Sequence, residues 1–155
     1  MTQLRFISHR GNINGKNTEK ENHPIYIVEA LSQGYEVEID VWHKNGKFFL
    51  GHDTPQYEID AKFLQNCNLW CHAKNDSALV EMSKLQNVHF FWHQEDHYTL
   101  TSQGIIWVYP GQRILEGSIV VLPEVIDNPN LYLGKCGGVC SDVIERYRYR
   151  THKSS

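Results

Sequence analysis

Three short clusters in the first third of the chain combine residue types that can do acid–base and ionic chemistry. Ser8-His9-Arg10-Gly11 follows an apolar run. A histidine there can carry a proton near neutral pH, and the adjacent arginine can fork onto phosphate oxygens. A surface dipeptide has the same look. Glu38 and Asp40 stand two apart in an alternating segment, so a strand puts both carboxylates on one face. Two such charges at ~4 Å repel by about 1 kcal/mol even in water. A divalent cation removes that cost, and Mg2+ or Ca2+ prefers hard oxygen ligands of this kind. Glu36 in the same register fits an ordinary solvent-facing strand equally well. Gly51-His52-Asp53 offers a second imidazole beside a carboxylate that could orient it, or a plain loop histidine.

The order of the pieces is more specific than any one of them. The chain reads His9-Arg10-Gly11, Glu21-Asn22, a helical stretch ending at Gly34, Glu38-Ile39-Asp40-Val41, Asn45-Gly46 and His52-Asp53. This run resembles the catalytic signature of the glycerophosphodiester phosphodiesterase family, in the superfamily of phosphatidylinositol-phospholipase-C-like phosphodiesterases. Gly138-Val139-Cys140-Ser141-Asp142 is similar to the family's closing strand and its Thr/Ser-Asp turn. The resemblance covers about the first 53 residues and the C-terminal strand, and the middle matches poorly.

The resemblance implies a TIM barrel with its site at the C-terminal mouth. It implies a metal-dependent phosphodiester hydrolase acting on a small glycerophosphodiester-like substrate. Glu38 and Asp40 would hold the metal, His9 and His52 would be general acid and base, and Arg10 would bind the phosphate. Glu21 and Asn22 would support the site, as would Asp53 beside His52. A lyase that stops at a cyclic phosphate, or a phosphate-binding module without turnover, shares the same pattern. The family's third-strand Glu-x-Lys is met here by His72-Ala73-Lys74. Lys74 fits as a phosphate contact. His72 as a ligand would shift preference from Mg2+ or Ca2+ toward Mn2+ or Zn2+; as a strand histidine it would only be hydrogen-bonded in the barrel. His93, Glu95, Asp96 and His97 read as a solvated loop or as part of the mouth's lining, and Trp92, Trp107 and Tyr109 as core or rim aromatics, one of which could stack on a substrate.

The elements must bring these positions together. Leu4–Ser8 reads as a strand, Asn12–Asn22 as a polar loop, and Pro24 as a helix start with Gly34 as its stop. Tyr35–Trp42 alternates strictly, with Val37, Ile39 and Val41 on one face. Asn45-Gly46 is a hairpin turn leading to Lys47–Leu50. Ile59–Leu64 reads as one or two helical turns. Further strands are expected at Asn68–His72, Val88–Trp92, Ile105–Val108, Ile119–Leu122 and Gly138–Cys140. Helices are expected from an Asp76 or Ser77 cap and near Val143–Tyr147. The connections between Gln94 and Gly137 are short and rich in Gly and Pro. The fold expected is therefore a reduced TIM-type (β/α) barrel with several outer helices missing in the C-terminal half. Its central requirement is that His9, Glu38, Asp40 and His52 meet at one rim, with neither imidazole more than about 10 Å from the acidic pair.

At 155 residues and 41% hydrophobic content the chain suits one folded domain, read as 1–147 with a basic tail at 148–155. The basic cluster Arg146, Arg148, Arg150, His152 and Lys153 reads as a solvated extension. A formal net charge of −3 argues against coating nucleic acid. No apolar run reaches the ~18 residues of a membrane span, and no secretory signal is visible, so a cytoplasmic location is expected. The four cysteines form two C-x-x-x-C pairs, Cys67/Cys71 and Cys136/Cys140. Buried free thiols fit them better than a zinc site. Oligomeric state is not readable from these features.

Overall fold

The computed structural model describes residues 3–126 and 135–153, without the side chains of His152 and Lys153. The first strand, β1 (Arg5–His9), is apolar at Phe6 and Ile7 and ends on the candidate histidine. Helix α1 (Pro24–Ser32) starts at a proline, which has no N–H to leave unpaired, and its N-cap His23 accepts from the Ile25 amide. It buries Ile27 and Ala30 against the apolar face of β2 (Glu36–Lys44). Asn45 and Gly46 both take positive φ, as a two-residue hairpin turn demands, and lead into β3 (Lys47–Leu50). A second hairpin adds β4 (Tyr57–Ile59), so only Ala61–Leu64 of the expected Ile59–Leu64 segment is helical (α2).

Strand β5 (Leu69–Ala73) pairs with β2 in parallel and is followed by α3 (Asp76–Lys84). Its cap is Asn75, not Asp76 or Ser77. The Asn75 side chain accepts from both the Ala78 and His43 amides, so it caps the helix and ties it to β2. Then come β6 (Phe90–Phe91), β7 (Tyr98–Leu100), β8 (Ile106–Val108), β9 (Ile119–Val121), a single 3-10 turn at Pro123–Val125, β10 (Gly138–Ser141) and α4 (Ile144–Lys153).

The expected TIM-type (β/α) barrel is not what forms. The strands make one mixed sheet in the order β4-β3-β2-β1-β10-β9-β8-β7, with β5 and β6 attached beyond β2. Strands β3, β4 and β7 are antiparallel to their neighbours, and no ladder joins β6 to β8 among the described residues. The sheet nevertheless curls. β5 and β8 stand five strand spacings apart in hydrogen-bonding order, roughly 24 Å if flat. Trp70 on β5 and Trp107 on β8 have ring centroids only 5.4 Å apart. The concave side is filled by Ile7, Trp70, Phe91, Trp107, Ile119 and Cys140. The physical reason for the half-barrel is length. A β-α-β crossover needs about 10–12 residues or more, and much of the stretch after β6 is spent on the β7–β8 hairpin.

The basic segment at the C-terminus is not a solvated extension over its described part. α4 buries Ile144 and Tyr147 against β10 and β1. Arg148 stacks on Tyr35 at 4.0 Å and donates to the Gln33 carbonyl. His152 and Lys153 as side chains, and the last two residues, lie outside the described residues. No helix among the described residues is long and apolar enough to cross a membrane. None of the four cysteines forms a disulfide: Cys67 is exposed, and Cys71, Cys136 and Cys140 are buried.

Candidate functional site

Parallel register sets the site. His9 at the end of β1 lies beside Glu38, and Asp40, two residues on along β2, lies beside His72 on β5. Lys74 and Asp142 follow directly after β5 and β10. The β2–β3 hairpin returns the chain at Gly51, whose amide donates to the Asp40 carbonyl, and so delivers His52 to the same end. The strand face bearing Glu38 and Asp40 is not solvent-facing. It turns into the curl, where the two residues are 2% and 0% exposed. Glu36 sits at the other end of β2 and is held by Arg5 and the Trp70 indole N–H.

Both imidazoles reach the acidic pair. His9 Nε2 is 3.3 Å from Glu38 Oε2, and His52 Nδ1 is 3.5 Å from Asp40 Oδ2. His9 Nδ1 is 2.7 Å from Asp142 Oδ1. Burial opposes the charge on Asp142, but the His9 hydrogen bond and charge, with help from Asn12 and Arg10, hold its carboxyl below the usual range. An ionised carboxylate only accepts, so His9 carries its proton on Nδ1 and turns Nε2 toward Glu38 and the cavity. Asp53 plays a smaller part than expected: its side chain is 92% exposed and 3.6 Å from His52, a contact of little energy in water. Asp40 is the buried carboxylate facing that ring.

Arg10 takes a positive φ and lays its guanidinium among the acids, with Nε 3.0 Å from Asp40 and Nη1 3.6 Å from Glu21. Burial would lower its pKa, but Asp40, Glu38, Glu21 and Asp142 together raise it. Asn22 clamps Asp40 twice, donating to Oδ2 and accepting from the Asp40 amide, each at 2.9 Å. Burial also works against ionised Asp40. The approach of His52 and the charge of Arg10 outweigh it and keep the carboxyl well below its ordinary value. Glu38 goes the other way: burial first, then Asp40, push it well above the usual carboxylate range.

Glu38, Asp40 and His72 each offer one ligand atom within 4.8 Å of the others. His72 Nε2 donates to the His93 carbonyl at 2.7 Å, which places the proton on Nε2 and leaves Nδ1 facing Asp40 Oδ1 at 3.4 Å. Among the described residues, five buried side-chain polar atoms lack a hydrogen bond. Four of them are here: Arg10 Nε, Glu38 Oε2, Asp40 Oδ1 and His52 Nδ1. Buried polar atoms are rarely left so, and two acceptors turned toward each other want something positive between them. Among the described residues, the carboxylates Glu21, Glu38, Asp40 and Asp142 face two fixed cations, Arg10 and Lys74. The donor set therefore fits a dication. The cysteines make no comparable cluster among the described residues.

A cavity of about 350 Å³ opens over this group, lined by His9, Glu38, His52, His72, Lys74 and Tyr109 among others. Trp107 and His93 also reach it. A larger one, about 890 Å³, lies at the opposite strand ends around Arg5, Glu36 and Asn68, and holds none of the candidate chemistry. His93 departs from the solvated loop expected of it: it is 8% exposed, donates to the Asp96 carbonyl, and is pushed down in pKa by burial. Glu95, Asp96 and His97 are exposed. Trp92 packs on the outer core.

Two residues without an assigned role emerge. Asp142 orients His9; its place after the last strand was visible, its partner was not. Asn12, fully buried, donates to Glu21 and Asp142 and accepts from the Tyr26 hydroxyl. It stands in a polar stretch whose composition says only loop. A scan against protein-family models, a search of curated proteins and a search of solved structures each return no match.

Proposed function

We propose that the chain is a metal-dependent phosphodiester hydrolase for small glycerophosphodiester-like substrates. The observation that carries this reading is the convergence of His9 and His52 on the buried Glu38–Asp40 pair at the floor of one cavity. A dication held by Glu38, Asp40 and His72 would supply Lewis-acid stabilisation of the phosphate oxygens.

The chain's own groups do the rest. His9, backed by ionised Asp142, is suited to take a proton at Nε2, because the buried carboxylate stabilises the imidazolium that forms. His52, half-exposed at the rim, is placed to return a proton to the departing alkoxide. Lys74 and Arg10 bring positive charge to the cavity wall, where a phosphate gains negative charge in the transition state. Asn22, Asn12 and Asp142 hold these groups in position.

The test is turnover of bis(p-nitrophenyl) phosphate and glycerophosphocholine by chelator-stripped protein reloaded with Mg2+, Ca2+, Mn2+ or Zn2+. His9→Ala and His52→Ala are each expected to lower kcat by roughly 10²–10⁴. No turnover with any ion, or a near-normal rate for His9→Ala, refutes the reading. Phosphorus NMR of the product separates hydrolysis from a lyase reaction ending at a cyclic phosphate.

A further inference from the structure

We propose that the Glu38–Asp40–His72 site selects a first-row transition-metal dication over Mg2+ and Ca2+, with His72 Nδ1 as the selecting ligand. This rests on the proposed function only for the presence of a cation at the site. The selectivity comes from how three donor atoms are held.

His72 is fixed in two ways. Its Nε2–H is committed to the His93 carbonyl, so Nδ1 presents its lone pair. Its ring is stacked on Phe91 at 4.9 Å with an interplanar angle of 11°, which sets the direction of that lone pair. A metal-bound imidazole normally has its other nitrogen anchored to a carbonyl or carboxylate in this way. The imidazole is thus pre-oriented as a nitrogen ligand and has no second hydrogen bond to give up.

The carboxylates are restricted too. Asp40 Oδ2 already faces Asn22, Arg10 and His52, so Oδ1 alone is free to bind and Asp40 cannot chelate through both oxygens. Glu38 contributes Oε2, 2% exposed as a residue and without a hydrogen bond. The donor set is one nitrogen, one Asp40 oxygen and the Glu38 carboxylate. Ca2+ takes about six to eight oxygens and Mg2+ an octahedral, mostly hydrated shell, so neither gains from the imidazole. Three protein ligands including a nitrogen, with open positions left over, suit Mn2+, Co2+ and Zn2+.

The experiment uses the full chain carrying Cys67→Ser, so that the exposed thiol does not compete for soft ions. Calorimetric titration with each of Mn2+, Co2+, Zn2+, Mg2+ and Ca2+ gives the order of affinity. Electron spin-echo spectroscopy of the Mn2+-loaded protein reports directly whether a nitrogen is bound. The expected result is one transition ion per chain, roughly tenfold or more tighter than Ca2+ or Mg2+, with a nitrogen coupling. His72→Glu should abolish the coupling and close that gap by about tenfold. Equal binding of Ca2+ and Mn2+, or no nitrogen coupling in the parent protein, overturns the proposal without needing any variant to fold. Transition-metal binding without diester turnover would remove the hydrolase reading and leave this one standing. Turnover with Ca2+ bound independently of His72 would do the reverse, and binding of no ion at all overturns both.

Discussion

Asn22 is the residue whose removal should show most plainly how the buried acids are held. It is fully buried, has φ of 66°, and uses both ends of its amide on Asp40. Asn22→Gly keeps the backbone relaxed and deletes only the side chain. It loses a hydrogen bond to an ionised carboxylate, worth about 1.5–3 kcal/mol, and strands the buried Asp40 amide, which costs about 1–3 kcal/mol more. The expected destabilisation is therefore about 2.5–6 kcal/mol. Asn22→Ala should cost about 1 kcal/mol beyond that, because a Cβ is strained at positive φ while glycine is not. Urea unfolding followed by tryptophan fluorescence measures both. An Asn22→Gly loss under about 0.5 kcal/mol would show that the clamp contributes nothing. Equal losses for the two variants would refute the backbone part of the reasoning.

Four further outcomes are expected. Asp142→Asn should lower diester kcat by about 10²–10⁴, because it removes the carboxylate that orients His9, and should also lower the melting temperature, because Asn12 and Arg10 lose the same buried charge; a kcat loss below about threefold refutes the orienting role. His89, buried against Trp70 and bonded to Thr101, is pushed down to about 4 from its ordinary 6.5 by burial and by Arg5. The unfolded chain then binds more protons between those two values, so stability should fall as pH drops through that window, by up to ~3 kcal/mol, and His89→Gln should flatten the profile. Gly51→Ala would drive a Cβ into the Thr54 carbonyl oxygen and should cost about 1–3 kcal/mol by thermal melting, because the loop that delivers His52 must shift. Ellman titration of native protein should find one fast thiol, Cys67, because burial raises the other three and shields them; two or more fast thiols would contradict the packing.

Local pattern carried much of this into the sequence. Strict alternation in 36–41 defines β2 and puts Glu38 and Asp40 on one face, because the side-chain period of a strand is two. It does not say whether that face meets water or the inside of a curl; only the distant strands bearing Trp70 and Trp107 decide that. The Asn45-Gly46 turn and the Pro24 helix start are legible because each depends on one residue's backbone preference. The shape of the whole was not. Short connections between Gln94 and Gly137 signalled missing helices, but not that β7 would fold back antiparallel. The start of the final helix was legible near Val143–Tyr147, but its run on to Lys153 was obscured by charge. Ile144 and Tyr147 at helical spacing outweigh the arginines around them, two of which, Arg148 and Arg150, set their guanidinium groups over Tyr35 and Tyr147. Asn12 was out of reach, since its side-chain partners come from positions 17, 21, 26 and 142.

The uneven cover of the sheet has one more consequence. Apart from Glu21, in the loop before α1, the acids, bases and ligand atoms of the site sit on or just after β1, β2, β3, β5 or β10, the strands backed by α1, α3 and α4. Trp107 and Tyr109, which form the opposing wall, belong to the thinly supported β7–β8 hairpin. Breathing of the fold is thereby segregated. Local opening should begin at the edge strand β7 rather than at β8, which is paired to β9 and buries Trp107 in the core, and the site strands should exchange their amides most slowly.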